Sequence, residues 1–233
     1  LFRGLTAAAA GLILVIVAAI FVQLWQNAAP ALAKFGWRFL FTDSWNPVTG
    51  EFGAASSIYG TVVSTVLAVV LATPLALVIA LFLVELAPPL VSSVVGGAIE
   101  LLAAIPSIIY GMWGLFVFAP VMADHVQPLL SDGLGWTPLF SGPPTGIGML
   151  SAGIILAIMI LPYICSVTRD VLKMVPAMVR ESGFGMGATT WEVTRQVSLR
   201  YGLRGIVGAV LLGLGRAFGE TMAVTFVIGN DHQ

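Results

Sequence analysis

Cysteine, histidine and charged residues are scarce in this chain. Its 233 residues include one cysteine, Cys165, and two histidines, His125 and His232, which lie far apart in the sequence. A single cysteine excludes a disulfide framework and a thiolate metal site, and two isolated histidines argue against a metal centre. The sequence offers no pairing of an activated nucleophile with its base, so we expect no catalytic activity and no bound metal.

Charged side chains make up 9% of the residues, whereas hydrophobic residues make up 58% and the mean hydropathy is +1.01. A soluble domain carries charges at about a quarter of its positions. This chain cannot cover its surface with polar groups, so the composition predicts a protein whose solvent is lipid. The formal net charge of −1 gives no sign of a nucleic-acid partner, and we expect none.

Five apolar runs are each long enough to cross a ~30 Å hydrocarbon core as a helix. The first is too long for the apolar core of a cleaved signal peptide and has no small-residue cleavage site after it. The second contains Pro74, which predicts a kink, and the third is expected to be interrupted at Ile105-Pro106-Ser107. The sequence therefore predicts an all-α, polytopic transmembrane helix bundle, with spans near 5–25, 58–84, 91–118, 146–167 and 205–228.

The distribution of lysine and arginine predicts the orientation of the bundle. Segment 168–204 carries most of these residues, whereas segment 119–145 carries none. Because basic loops stay on the cytoplasmic side, we expect 168–204 to face the cytoplasm, and 119–145 and 26–57 to face outside. Five spans would leave the last residues outside, so we expect a sixth span beyond the end of this sequence. The first helix and its external segment, 1–57, are interpreted as an appendage to a transmembrane domain, 58–233.

Within segment 168–204 the pattern indicates a short helix followed by a tight turn. Pro176 suits the first turn of a helix, where its missing N–H is not needed, and the helix can continue to about residue 184. Gly185 and Gly187 then permit a sharp reversal of the chain, because glycine tolerates positive φ.

A second short helix is predicted after this turn. Thr189 stands three residues before Glu192, which is the spacing of a capping box, and the helix would run over about 190–199 with Trp191 near the turn. On this interpretation the segment is a rigid helix–turn–helix projection to which a soluble partner could bind. The alternative is an ordinary loop whose basic residues contact lipid phosphates.

The last apolar run combines small residues with two opposite charges. Small residues recur at intervals of four from Gly205 to Gly213, a spacing that lets helices approach closely, so we expect this span inside the bundle. Arg216 and Glu220 are also four apart and are predicted to share one face of the helix. Arg216 would lie ~18 Å along the helix from Arg204 at 1.5 Å per residue, near the middle of the membrane.

A charge at that depth costs at least ~2.5 kcal/mol, and two interpretations of Arg216 and Glu220 stay open. One is an ion pair within the helix that fixes bundle packing, although a buried pair is weak support for stability. The other is a transport pathway, because arginine offers a planar fork suited to oxyanions and glutamate can accept the protons of a protonated oxyanion. Glu100, early in the third span, is a further pathway candidate, and Glu85 is expected to be solvated at a span end.

After the fourth span, Glu181-Ser182-Gly183 is followed by Gly187 and then by Val197 and Leu199. This pattern resembles the EAA loop of ABC importer permeases. Ser182 and Gly183 replace alanines of that pattern, and Arg200 stands where proline is usual. The resemblance implies that the loop inserts into a groove on a cytoplasmic ATPase subunit. Because the sequence has no Walker A pattern G-x-x-x-x-G-K-[ST], ATP would be bound by that partner, and this chain would need no cofactor. The coupling residues implied are Glu181, Ser182, Gly183, Gly187, Thr189, Trp191 and Glu192.

Three further stretches resemble the phosphate-specific ABC importer permease of PstC type, a binding-protein-dependent transport system inner-membrane component. They are GRAFGETMAV at 215–224, FLFTDSWNP at 39–47 and AIPSIIYGMWG at 104–114, and the resemblance covers essentially the whole chain. It implies the MetI-like permease fold with six spans, in the inner membrane of a bacterial or archaeal cell. It also implies that Arg216 and Glu220 take part in phosphate movement.

The function implied by the resemblance is that of a non-catalytic permease subunit in an ATP-driven importer of inorganic phosphate. The implied partners are a sister permease of PstA type, an ATPase homodimer of PstB type and an external phosphate-binding protein of PstS type, besides membrane lipid. Two alternatives stay open. One is a permease for sulfate, molybdate or a phosphonate, and the other is a secondary transporter or channel that works without ATP, which broken helices and buried charge suit equally.

Overall fold

The computed structural model describes residues 2–46, 48, 50–134 and 145–229, and these residues are almost entirely helical. Five of the described helices are long and apolar enough to cross a membrane, so the prediction of an all-α protein with five spans is confirmed. Residues 135–144 of the predicted external segment, and residues 230–233, lie outside the described residues. The five candidate spans are Phe2–Leu40, Ala55–Leu86, Ser107–Leu130, Met149–Lys173 and Thr190–Phe218.

Several helices follow one another without a break. Single π-helical turns at Gly114–Phe118 and Met122–Val126 join α4, α5 and α6, another at Thr194–Ser198 joins α9 to α10, and one at Phe82–Leu86 extends α2. A 3₁₀ turn at Gly36–Leu40 follows α1. The α-helices are α1 (Phe2–Phe35), α2 (Ala55–Leu81), α3 (Pro89–Ala103), α4 (Ser107–Trp113), α5 (Ala119–Val121), α6 (Gln127–Leu134), α7 (Met149–Lys173), α8 (Ala177–Gly185), α9 (Thr190–Val193), α10 (Leu199–Phe218) and α11 (Met222–Val227).

Contacts divide the chain into two compact units, one ending at Tyr59 and the other beginning at Gly60. The first unit holds α1, which continues to Phe35 rather than ending near the predicted residue 25. Its side chains remain at least partly exposed along the helix. A helix that is apolar on all sides and yet exposed is typical of a membrane span.

A small hairpin follows α1 in the first unit. Strands β1 (Trp45–Asn46) and β2 (Glu51–Phe52) pair antiparallel, with Trp45 opposite Phe52. These two rings meet edge to face with their centroids 5.0 Å apart, an arrangement that aromatic pairs prefer. Gly50 has φ +70° in the connection, a left-handed conformation that glycine adopts without steric cost.

The helix α7 forms the centre of the second unit. Helices α3, α10 and α11 pack against it, and its fully buried side chains recur at helical spacing. Pro162 lies inside α7 and Pro74 inside α2, and neither proline ends its helix. The largest fully buried side chains of α7 are Ile155, Leu156, Met159, Ile160, Ile164 and Leu172.

Small residues allow α10 to pack closely along α7. Ala209 is completely buried. A Cβ added to Gly205 would lie 2.6 Å from Cγ1 of Val171, and one added to Gly213 would lie 2.6 Å from Cγ1 of Ile164. The expectation that small residues at intervals of four mediate a close helix contact is therefore confirmed.

The third span differs from its prediction. A span over 91–118 with an interruption at residues 105–107 was expected, and the chain does leave the helical conformation at residues 104–106, which separates α3 from α4. The candidate span, however, begins only at Ser107 and continues to Leu130, so residues 119–130 are helical rather than part of an external loop. Pro106 has no N–H and disfavours a helical conformation in the residue before it. The hydroxyl of Tyr110 donates a hydrogen bond of 2.9 Å to the carbonyl oxygen of Leu102, which compensates one backbone acceptor freed at the break.

The fifth span also differs from its prediction at both ends. It was expected as one helix over 205–228, preceded by a separate short helix. Instead, the helix from Thr190 to Phe218 is continuous, and the chain breaks at residues 219–221 before α11. Arg200 carries an N–H where the EAA pattern has proline, so nothing interrupts the helix at that point.

The packing of α10 on α7 predicts opposite effects for two glycine substitutions. Gly213→Ala should lower the free energy of unfolding by about 1–3 kcal/mol, because its methyl group meets the buried Ile164. Gly208→Ala is the matched control on the same helix, since no atom lies within 4 Å of the added Cβ. It should leave stability unchanged or raise it by up to ~1 kcal/mol through helix propensity. Denaturant unfolding in detergent micelles measures both, and equal midpoints would contradict the packing.

Candidate functional site

The segment that resembles the EAA loop folds as two helical pieces joined by a turn. Helix α8 begins after Pro176 and ends at Gly185, and α9 begins at Thr190. Gly183 is the contact between them, because a Cβ there would lie 3.0 Å from Cγ2 of Val193. A small residue at this position therefore allows the two pieces to pack closely.

The turn is closed by a glycine in the left-handed conformation. Gly187 has φ +84°, its N–H donates to the carbonyl of Phe184, and the N–H of Ala188 donates to the carbonyl of Gly183. This pair of hydrogen bonds is a Schellman motif, which satisfies carbonyl groups left over at a helix end. The sharp reversal expected at the glycines is confirmed, and Gly187 is the residue that makes it.

The capping box predicted at the start of the second helix is confirmed. The hydroxyl of Thr189 accepts a hydrogen bond of 3.3 Å from the N–H of Glu192, and the Glu192 carboxylate accepts one of 2.8 Å from the N–H of Thr189. Both backbone donors would otherwise be unsatisfied at a helix start. The predicted end of this helix near residue 199 is wrong, because the helix continues into α10.

Large apolar side chains are exposed around this turn. Trp191 is 66% exposed, and Met178 and Met186 are more exposed still. Glu181 lies beside them and lines a groove of about 520 Å³ together with Lys173 and Arg180. Exposed aromatic and methionine side chains with charges at their edge are typical of surfaces that bind other proteins.

Arg216 and Glu220 do not form the expected pair on one helix face. Arg216 lies in the last turn of α10, and the helix ends at Phe218, so Glu220 falls in the break before α11. Gly219 follows the helix directly and has low helix propensity. Within the described residues, the ion pairs of the chain involve neither Arg216 nor Glu220.

Each of these two charges instead lies at a helix end that suits its sign. The guanidinium of Arg216 is near the C-terminus of α10, where the partial charge is negative, and lies 5.8 Å from the ring centroid of Tyr163, within cation–π range. Oε1 of Glu220 accepts a hydrogen bond of 3.0 Å from the N–H of Ala223 in the first turn of α11. Among the residues that the structure describes, Arg216 therefore has no carboxylate as an ion-pair partner, either on its own helix or on another.

Glu100 pairs with Arg169, a residue that the sequence analysis placed in a polar loop. Helix α7 continues to Lys173 and buries Arg169, whose side chain is 8% exposed, whereas that of Glu100 is 55% exposed. A Cβ at Gly96 would overlap the guanidinium, so this glycine makes room for it. Buried positions continue at helical spacing through residues 164, 165, 168, 169 and 172, which is the signal that could have placed Arg169.

The side chain of Glu85 is buried, and the expectation that it is solvated is wrong. Its side chain is 5% exposed and pairs with Arg180 of α8, while the hydroxyl of Ser198 donates a hydrogen bond of 2.9 Å to its other oxygen. No local pattern signals this site, because the three residues are far apart in the sequence. Among the residues that the structure describes, no cluster of three His, Cys, Asp or Glu side chains could hold a metal ion.

The Schellman motif predicts how the turn between α8 and α9 responds to substitution. Gly187→Ala should destabilise the turn by about 1–2 kcal/mol, because an L-residue is strained at positive φ. Gly185→Ala is the matched control, since Gly185 is helical and an added Cβ meets no atom within 4 Å. Hydrogen exchange at the amides of Gly187 and Ala188 should become several-fold faster in the first variant only. Equal exchange in both variants would contradict the motif.

Comparison with known proteins places these features in a family. The sequence model for the binding-protein-dependent transport system inner membrane component matches residues 53–231. The chain is 52% identical to the phosphate transport system permease protein PstC of Mesorhizobium japonicum, over 100% of this chain and 72% of that protein. It is 50% identical to the protein of the same name from Haemophilus influenzae, over 100% of this chain and 75% of that protein.

A more distant relative matches along most of the same length. The probable phosphate transport system permease protein PstC of Methanocaldococcus jannaschii is 33% identical over 88% of this chain and 66% of that protein. The family match covers the residues from the second candidate span to the last described helix. The chain therefore belongs to the family of binding-protein-dependent transport system inner membrane components.

Proposed function

We propose that this chain is a permease subunit of an ATP-driven importer of inorganic phosphate. As a member of its family it is a multi-pass inner membrane component and not an enzyme. The observation that carries the proposal is the position of Arg216 at the interruption between α10 and α11. It occurs in a chain half identical, over its whole length, to proteins named phosphate transport system permeases.

The interruption supports a pathway because non-helical backbone is costly in lipid. Unpaired N–H and C=O groups at membrane depth are tolerated only where they are buried in protein or line a cavity. Transporters place their substrate sites at such breaks in helices. Residues 219–221 form one break and residues 104–106 another. Helices α4 and α11, which follow them, are in contact, since a Cβ at Gly111 would lie 2.8 Å from Cα of Ala223.

The chemistry of Arg216 suits a phosphate ion. Guanidinium offers a planar set of donors that matches two oxygens of an oxyanion, and no carboxylate neutralises it within the described residues. Glu220 would accept the protons that phosphate carries near neutral pH. Glu100 belongs to the proposed pathway only together with Arg169, because their ion pair makes them one unit.

The family resemblance implies the remaining subunits, and we assign each of them to one side of the membrane. We place the turn between α8 and α9 on the cytoplasmic side, against an ATPase homodimer of PstB type, with Glu181, Ser182 and Trp191 at or near the contact. A sister permease of PstA type would complete the path. A phosphate-binding protein of PstS type would deliver the ion outside, at the parts of segments 26–57 and 119–145 that follow the first and third candidate spans, which end at Leu40 and Leu130.

Substitution of Arg216 tests the pathway. Arg216→Gln should lower uptake of labelled phosphate into liposomes containing the full complex by at least tenfold, because the cation that compensates the dianion is lost. Glu220→Gln should lower uptake as well. Both complexes should still assemble with the ATPase, which gel filtration checks. Arg204→Gln is the matched control, since Arg204 is exposed on the same helix, and its uptake should equal that of the unmodified complex. Normal uptake by both pathway variants would refute the role of these residues.

A second oxyanion is the alternative that the same site allows. Sulfate, molybdate and phosphonates also present oxygens to a guanidinium. A competition assay with the complex and its external binding protein distinguishes these anions from phosphate. If phosphate is the cargo, an excess of unlabelled phosphate should abolish uptake of labelled phosphate, whereas sulfate, molybdate or a phosphonate at the same concentration should not. Uptake of labelled sulfate, molybdate or a phosphonate, with no uptake of labelled phosphate, would change the assigned cargo and leave the permease role in place.

Co-purification of the ATPase separates an ATP-driven importer from a secondary transporter. Glu181→Ala and Trp191→Ala should each reduce the amount of ATPase that co-purifies with the permease by several-fold, because both side chains are exposed beside the turn. Glu51→Ala is the matched control, since Glu51 lies in the hairpin of the first unit. Retention of the ATPase by both loop variants would contradict docking at this turn. Failure of the unmodified chain to retain any ATPase would favour the secondary transporter.

A further inference from the structure

One buried carboxylate connects three helical elements. Glu85 lies in the π-helical turn Phe82–Leu86 at the end of α2, and its side chain is 5% exposed. Oε2 pairs with Nη2 of Arg180 in α8, and Oε1 accepts a hydrogen bond of 2.9 Å from the hydroxyl of Ser198. Ser198 is completely buried in the π-helical turn that leads into α10. The Glu85 side chain therefore links the end of α2 to two other elements. These are α8, which precedes the turn between α8 and α9, and the helix from Thr190 to Phe218, which ends at the break at 219–221.

These contacts hold the three elements in a defined register. Hydrogen bonds to an ionised group are shorter and stronger than those between neutral groups. A buried carboxylate has also lost its hydration, so separation from either partner leaves an uncompensated charge. A shift of helix α8 relative to the end of α2 therefore requires either that Glu85 moves with Arg180 or that the ion pair between them breaks.

The rest of α8 is weakly anchored. Of the nine residues of this helix, all of which the structure describes, Gly183 is the one that is buried. Its contact with Val193 is apolar and has little directional character. The connection to α7 is short, since α7 ends at Lys173 and Pro176 precedes α8. The polar link from Arg180 to Glu85 is the contact that fixes the direction of α8.

We propose that Glu85 is the positioning residue through which a movement of α8 is passed to α2 and to the helix from Thr190 to Phe218. The inference rests on the proposed function, because it takes α8 and the turn after it as the surface that the ATPase moves. With the ion pair intact, the three elements shift together. Without it, the movement is absorbed where α8 joins α7, and ATP hydrolysis no longer drives the pathway.

The test measures phosphate moved per ATP hydrolysed, in liposomes that contain the complete complex and its external binding protein. Glu85→Gln keeps the shape of the side chain but removes its charge, and should lower this ratio at least tenfold while the complex assembles and hydrolyses ATP. Ser198→Ala removes one hydrogen bond and should lower the ratio by about threefold. Arg200→Gln is the matched control, because Arg200 is exposed two residues from Ser198, and its ratio should be unchanged.

A double variant separates coupling from a general loss of structure. Glu85→Gln with Arg180→Gln should give a ratio no lower than Glu85→Gln alone, because both substitutions remove the same interaction. Hydrogen exchange at the amides of α8 should be faster in Glu85→Gln and unchanged in Arg200→Gln. A purely structural role would instead lower assembly, ATP hydrolysis and uptake in the same proportion.

The outcomes for the inference and for the proposed function are distinct. If the unmodified complex hydrolyses ATP without moving phosphate, the proposed cargo fails, and the exchange of the α8 amides still tests the link through Glu85. If the unmodified complex transports phosphate and both Glu85→Gln and Ser198→Ala keep its ratio, the inference is overturned. If Glu85→Gln does not assemble, the ratio of Ser198→Ala decides, and an unchanged ratio overturns the inference.

Discussion

The close packing of α10 against α7 is the contact on which both functional regions depend. Gly205 and Gly213 leave no room for a Cβ between the two helices, and the helix from Thr190 to Phe218 is continuous. Its first turn carries Trp191 and its last turn carries Arg216, about 38 Å apart along the axis at 1.5 Å per residue. One helix, packed along α7, thus joins the exposed turn between α8 and α9 to Arg216 in the proposed pathway.

Charged side chains in this apolar chain are compensated in two different ways. Glu85 and Arg169 are buried and have partners of opposite sign on other helices, so they hold helices in register. Arg216 and Glu220 lie at helix ends whose partial charges suit them, with a tyrosine ring and a backbone N–H as partners. In the described part of the chain, the second arrangement leaves the guanidinium without a carboxylate partner, as the proposed binding of an anion requires.

Local patterns in the sequence were sufficient for a large part of the fold. The number of spans, the capping box, the reversal at Gly187 and the close contact through small residues are all present in the structure. Each of these features depends on residues only a few positions apart. The break at 104–106 was expected from Pro106, whereas the helix was expected to continue through 219–221 despite Gly219. Their outcome depends on which neighbouring groups satisfy the freed backbone, as Tyr110 does for Leu102, and such partners are not visible in a local pattern.

The sequence by itself determined that the chain is a helical membrane protein, where its helices lie approximately, and how the turn between α8 and α9 closes. Only the tertiary structure decided which charges meet. Glu85 and Arg180 are 95 residues apart, and Glu100 and Arg169 are 69 apart. Helical periodicity places a side chain on a face of its own helix, but the partner of that face is set by packing between helices that are distant in the chain. For this reason Arg169 and Glu85 were misplaced, while the residues of the capping box were not.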